Sequence, residues 1–294
     1  MPNEDMMYTA LRRIAREGDD EIPLSEGLSL VRPNQEFLNR RWDWVSSKSD
    51  FENEEEASRY LVCKYPSWSP DYKQESAREF GKKRFYSGLM AIQVIKPVQT
   101  LGLIYSHQHY SHKHFEKRPP MDAGKWARLA RFDDVMLARV PDMIKRIQHV
   151  TNGTKTEPKN ALVLLQLGLE HFHPYIAGLL WVMGLEAIFD SENKREFKRK
   201  LCDCLGPKTL AFPNWNPKIK GPQYTVEEIA IPLYMLRSKL AHGADLRKAK
   251  ADKKTPVDLI AKAQLTEHSE PTKYADILSQ AACFLLCQVL QKVI

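Results

Sequence analysis

Residues 161–189 are mostly apolar, and the exceptions among them decide what the segment can become: Glu170, His171, His173, Pro174 and Glu186 interrupt the apolar run. A helix that crosses a bilayer needs about 18 to 20 consecutive apolar residues, and none remain uninterrupted here. Two buried helices are predicted, not a membrane span. The same texture fills the second part of the chain. From about Met121 on, long stretches lack turn signals and repeat apolar residues every three or four positions, the spacing of one helix face. Helices are predicted over 122–149, 158–171, 174–189, 194–205, 226–242 and 274–293. The Pro- and Asn-rich stretch 206–223 and the polar stretch 249–271 read as loops.

The first part has a different character. A charged helix is predicted over 8–16, followed by aromatic-rich segments at 59–65 and 84–105. Within the latter, 85–105 is rich in β-branched and aromatic residues and is cut by Pro97, which predicts two short strands or a hairpin. The expected fold class is an α+β domain over 1–120, of recognition or regulatory role, followed by an all-α helical bundle over 121–294. A chain of 294 residues is near the size at which one core gives way to two.

Only 13 glycines, with 43% hydrophobic and 28% charged residues, describe a well-packed protein and exclude a low-complexity one. The 44 Lys and Arg against 37 Asp and Glu leave a net charge of +7, which permits a polyanionic partner without requiring one. The five cysteines are odd in number and form no CxxC pair, so neither a disulfide framework nor a structural zinc site is indicated, and a reducing cytoplasm is expected. The first twenty residues carry acids and no apolar centre, predicting no secretory signal.

One helix concentrates the chemistry. Thr225 followed by Glu228 is a capping-box pattern that sets a start, and Gly243 directly after His242 suits the left-handed residue that closes a helix. Pro232 predicts a kink, or a later start at Ile231. Val226, Ile229, Leu233 and Leu240 share one side, and Arg237 falls inside that apolar stripe. A buried charge is tolerated only when paired, so Arg237 needs an anion. Glu186, alone in an apolar run, faces the same problem and is the expected partner. Ile231, Tyr234 and Met235 extend apolar surface round the other side, which predicts cover by a second subunit.

The segment 234–243, YMLRSKLAHG, resembles the RxxxxH signature of HEPN domains, helical proteins that include many ribonucleases; GLEAIF at 184–189 resembles the LEALF-like stretch of their earlier helix. The similarity spans about 160–294, is nearest to the ApeA-like group linked to bacterial defence against phage, and departs from the commonest form at Ser238, where asparagine is usual. It implies an endoribonuclease with Arg237 and His242 as catalytic residues, Glu186 and Ser238 in support, and no metal or cofactor. His242 would exchange protons with a ribose 2′-OH or the leaving 5′-oxygen, and Arg237 would offer its donor fork to the phosphate, leaving a 2′,3′-cyclic phosphate and a 5′-OH. On an ideal helix the two side chains lie about 140° apart and roughly 7.5 Å along the axis. A homodimer through the 226–242 helix is therefore expected to complete each site.

RNA phosphates are expected to meet Lys194, Arg195, Lys198, Arg199, Lys239 and Arg247, which otherwise read as solvated surface. His107, His109, His112 and His114, with only Glu116 nearby, read as a polar strand end or RNA-contacting loop sooner than a metal site. His171 and His173 read as capping or interface groups, and Cys202 and Cys204 as unreactive. Two alternatives stay open beside the nuclease: a non-catalytic RNA-binding or dimerisation module, and a purely structural Glu186–Arg237 pair. Neither the RNA target nor a regulator or antitoxin is indicated.

Overall fold

The computed structural model describes residues 4–11, 19–32, 59–66, 74–97, 100–106, 132–170, 174–211, 224–241 and 271–294. Two compact units divide the chain: Met1–Pro119 with Arg131–His149, and Pro120–Ala130 with Val150–Ile294. Most of the helix Asp134–Asn152, which the sequence reading grouped with the C-terminal bundle, is thus assigned to the N-terminal unit.

The N-terminal unit is built on a five-stranded sheet of β1 (Glu4–Leu11), β2 (Glu21–Ser25), β3 (Leu28–Val31), β4 (Arg59–Pro66) and β5 (Thr100–Ser106), in the order β2-β3-β4-β1-β5. Every neighbouring pair is antiparallel. Strands β2 and β3 form a hairpin whose turn places Gly27 at φ 68°, where a Cβ would strike the Lys64 carbonyl. Lys64 N–H donates to the Gly27 carbonyl at 2.7 Å, tying the turn to β4. Helix α1 (Gln74–Ile95) packs on β4, β1 and β3, and Arg84 on it donates to the carbonyl and carboxylate of Glu26. In β4, Arg59 is buried and donates to the Asp19 carbonyl at 2.7 Å.

Two expectations fail in this unit. The charged helix expected over 8–16 is contradicted over 8–11 by β1, a strand with partners on both sides: Leu11 pairs with Arg59 of β4 and with Thr100 of β5. Residues 12–16 lie outside the described residues. Met7, Tyr8, Thr9 and Leu11 are all buried, so sheet pairing outweighs the local charge pattern. The hairpin over 85–105 is replaced by the end of α1 and then β5. Ile92, Val94 and Ile95 are β-branched, yet buried in a helix, because packing against the sheet overrides their propensity. Pro97 ends α1 instead of separating strands, since the residue before proline avoids helical backbone.

Beyond α2 (Asp134–Asn152), the C-terminal unit contains α3 (Thr156–Glu170), α4 (Pro174–Phe189), α5 (Lys194–Leu205), α6 (Val226–Ala241) and α7 (Pro271–Val293), close to the predicted helices. Helix α4 contacts α3, α7, α6 and α5, which is why it is apolar on nearly every side. Trp181 on α4 donates its indole N–H to the Leu165 carbonyl of α3 at 3.2 Å. Between α5 and α6, Leu210 and Thr225 form a β-bridge and the Ala211 N–H donates to the Tyr224 carbonyl at 2.7 Å. Among the described residues no helix is long and apolar enough to cross a membrane.

Candidate functional site

Helix α6 begins where the capping box places it. The Thr225 N–H donates to Glu228 Oε2 at 2.9 Å and the Glu228 N–H to Thr225 Oγ1 at 3.3 Å, satisfying two amides that the first turn leaves free. Pro232 lies inside the helix, so a start at Ile231 is not adopted. Val226, Ile229 and Leu233 are fully buried, which fixes the rotation of α6 and aims Arg237 at α4.

There Arg237 Nε meets Glu186 Oε2 at 3.0 Å, the pairing expected from sequence; the side chains are 36% and 13% exposed, respectively. Burial pushes the Glu186 carboxyl above its ordinary range, and the Arg237 charge partly offsets this. Arg237 also lies 6.0 Å from the centre of the Tyr234 ring, which packs on Phe197 of α5 at 5.7 Å. Among the described residues Glu186 is the one ion-pair partner of Arg237, and the Arg237 Nη groups make no hydrogen bond.

The pair lines a cleft of about 620 Å³. One wall is apolar, with Val163 and Leu164 from α3 and Met183 and Ala187 from α4; the other end holds Asn160, Asp190, Ser191 and Glu192. Asp190 closes α4 with φ 44°, a left-handed conformation, and its N–H donates to the Glu186 carbonyl at 2.7 Å. Lys200 of α5 steadies the same corner by donating to the Phe189 and Asp190 carbonyls. Three carboxylates therefore line the cleft beside one guanidinium. Sequence reading found Glu186 and Arg237 but missed the 190–192 segment, whose signal was a polar run directly after an apolar helix.

The remaining site expectations fare unevenly. Ser238 is half-buried on α6. Lys194 and Arg195 are exposed at the start of α5, after Asn193, which caps it by accepting from the Arg195 and Glu196 N–H groups. Lys198 pairs with Glu227 at 3.0 Å and Arg199 with Asp203 at 3.2 Å, so both already have anions. His242, Arg247 and the Lys239 side chain lie outside the described residues, as do the four clustered histidines, His171 and His173. Cys202 and Cys204 have thiols raised chiefly by burial, which keeps them protonated and unreactive at neutral pH. Among the described residues no group of three His, Cys, Asp or Glu is placed to hold a metal. No family profile, curated protein or solved structure matches the chain.

Proposed function

We propose that the C-terminal unit is a HEPN-type, metal-independent endoribonuclease, acting in the cytoplasm as a bacterial anti-phage or stress-defence effector. In this role the N-terminal unit would recognise a trigger or restrain the nuclease. One observation carries the reading: Arg237 stands at a cleft, paired through Nε with Glu186 and with no hydrogen bond from its Nη groups among the described residues, five residues before His242 in the sequence. An anchored guanidinium is a preorganised donor for the charge that grows on phosphate oxygens. His242 transfers the proton, taking it from the ribose 2′-OH or giving it to the 5′-oxygen as the bond to phosphorus breaks. As the 2′-oxygen loses its proton and bonds to phosphorus, forming the cyclic phosphate, the 5′-oxygen leaves and is protonated, so that one histidine serves as base and the other, or water, as acid. A second copy, docked on α6, brings another Arg237 and His242 to the groove.

The second reading is a non-catalytic dimerisation or RNA-binding module of the same fold. Its dimerisation form is favoured by the cleft's own charge, since Glu186, Asp190 and Glu192 outnumber Arg237 and repel phosphate. Incubating wild type, Arg237→Ala and His242→Ala with total RNA in EDTA separates the two. Cleavage by wild type alone, leaving cyclic phosphate ends, supports the nuclease. If all three leave RNA intact while Arg237→Ala binds it more weakly, the module reading replaces it.

A further inference from the structure

We propose that the cleft beside Arg237 binds a guanine base, with Asp190 and Glu192 as acceptors for its N1–H and N2–H₂ edge. The inference deepens the ribonuclease reading and rests on it for the source of the base. The cleft's polar end carries the exposed side chains of Asn160, Asp190 and Glu192. Among the described residues the side chains of Asn160, Asp190 and Glu192 have no hydrogen-bond or ion-pair partner, and the buried Ser191 Oγ likewise has none. Ionised carboxylates only accept, so the ligand they select must present clustered N–H groups.

Of the four RNA bases only guanine places two adjacent N–H donors on one edge, matched to the two oxygens of a carboxylate. Adenine and cytosine each offer one amino group beside an acceptor ring nitrogen, which a carboxylate repels, and uracil offers a lone N–H between two carbonyls. Guanine also carries O6 and N7, acceptors that suit the donor fork of a guanidinium, and the Arg237 Nη groups make no hydrogen bond among the described residues. The apolar wall of Val163, Leu164 and Met183 accommodates the flat face of a base. Asp190 is held in place by the left-handed turn that ends α4 and by the Asp190 N–H to Glu186 carbonyl bond.

The test uses the full chain and neutral nucleosides, which avoid phosphate repulsion by the same carboxylates. Guanosine, adenosine, cytidine and uridine are titrated and followed by saturation-transfer NMR, and short single-stranded RNAs differing only in one central base are titrated in parallel. Guanosine is expected to bind about tenfold more tightly than the others, the discrimination of one bidentate pair. The variant Asp190→Asn/Glu192→Gln should lose that preference; it should fold normally, because asparagine accepts left-handed backbone at least as well as aspartate. A preference seen with nucleosides but not with RNA assigns the cleft to a free guanine nucleotide or nucleoside. Equal affinity for all four nucleosides, no binding of any, or a preference that survives the double variant overturns the proposal. Cleavage of RNA without base preference would leave the nuclease standing and remove only this inference; guanosine binding without cleavage would do the reverse.

Discussion

Glu186 is 13% exposed and Arg237 is 36% exposed, so the carboxylate bears the greater cost of desolvation in their pair. Its pKa is raised, with burial the larger cause and Arg237 opposing it. A native state that holds its proton to higher pH than the unfolded chain loses stability as pH rises through the window just above the ordinary carboxylate value. Glu186→Gln does not titrate. Urea denaturation of both proteins from pH 4 to 7 should show the wild-type advantage over this variant shrinking as pH rises; an advantage that grows would mean that the ion pair, not burial, controls the group. Arg237→Ala removes the opposing charge and raises the carboxyl further. The loss, about 1–2 kcal/mol near pH 7 for a half-exposed charged partner, should fade toward pH 4, where Glu186 is protonated with or without arginine.

Helix α4 owes its central place to small residues as much as to large ones. A Cβ at Gly178 would overlap Ser279 Oγ on α7 and come within 2.9 Å of its Cβ, and one at Gly184 would lie 2.8 Å from Leu286. Gly178→Ala adds helix propensity but overpacks this crossing, and the net loss should be about 1–3 kcal/mol in urea unfolding; unchanged stability would mean that α4 and α7 are less closely packed. The helices of this unit were legible because their periodicity, the Thr225 and Glu228 pair and the isolated Glu186 are local signals read within one or two turns. The sheet was not. Whether residues 4–11 form a strand depends on β4 and β5, some 50 and 90 residues away, and the Ile92–Ile95 run reads as strand until the sheet beneath it is known. At the site, the guanidinium and its partner were visible as two misplaced charges. Asp190, Ser191 and Glu192 were not, since polar residues after a helix look like any loop.

In the C-terminal unit Val163 and Leu167 on α3, Ile176 and Met183 on α4, and Met235 on α6 are exposed, Val163 to 50% and Met235 to 37%. Val163 and Met183 line the cleft itself, so that part of the exposed apolar surface adjoins the Arg237 pair, whereas Met235 lies on the other side of α6. A second copy covering the exposed side of α6 would shelter Met235. It would also answer the spacing of an ideal helix, on which side chains five residues apart point about 140° from each other. Met235→Glu places a charge in that contact without touching Arg237, Glu186 or the capping box, and two-fold symmetry would bring the change in twice. On the proposed dimer and nuclease, light scattering should report a dimer for the wild type and a monomer for the variant, and RNA cleavage should fall at least tenfold at equal chain concentration. Cleavage retained by a monomeric Met235→Glu would mean that one chain holds a complete site, and the requirement for a partner helix would be withdrawn.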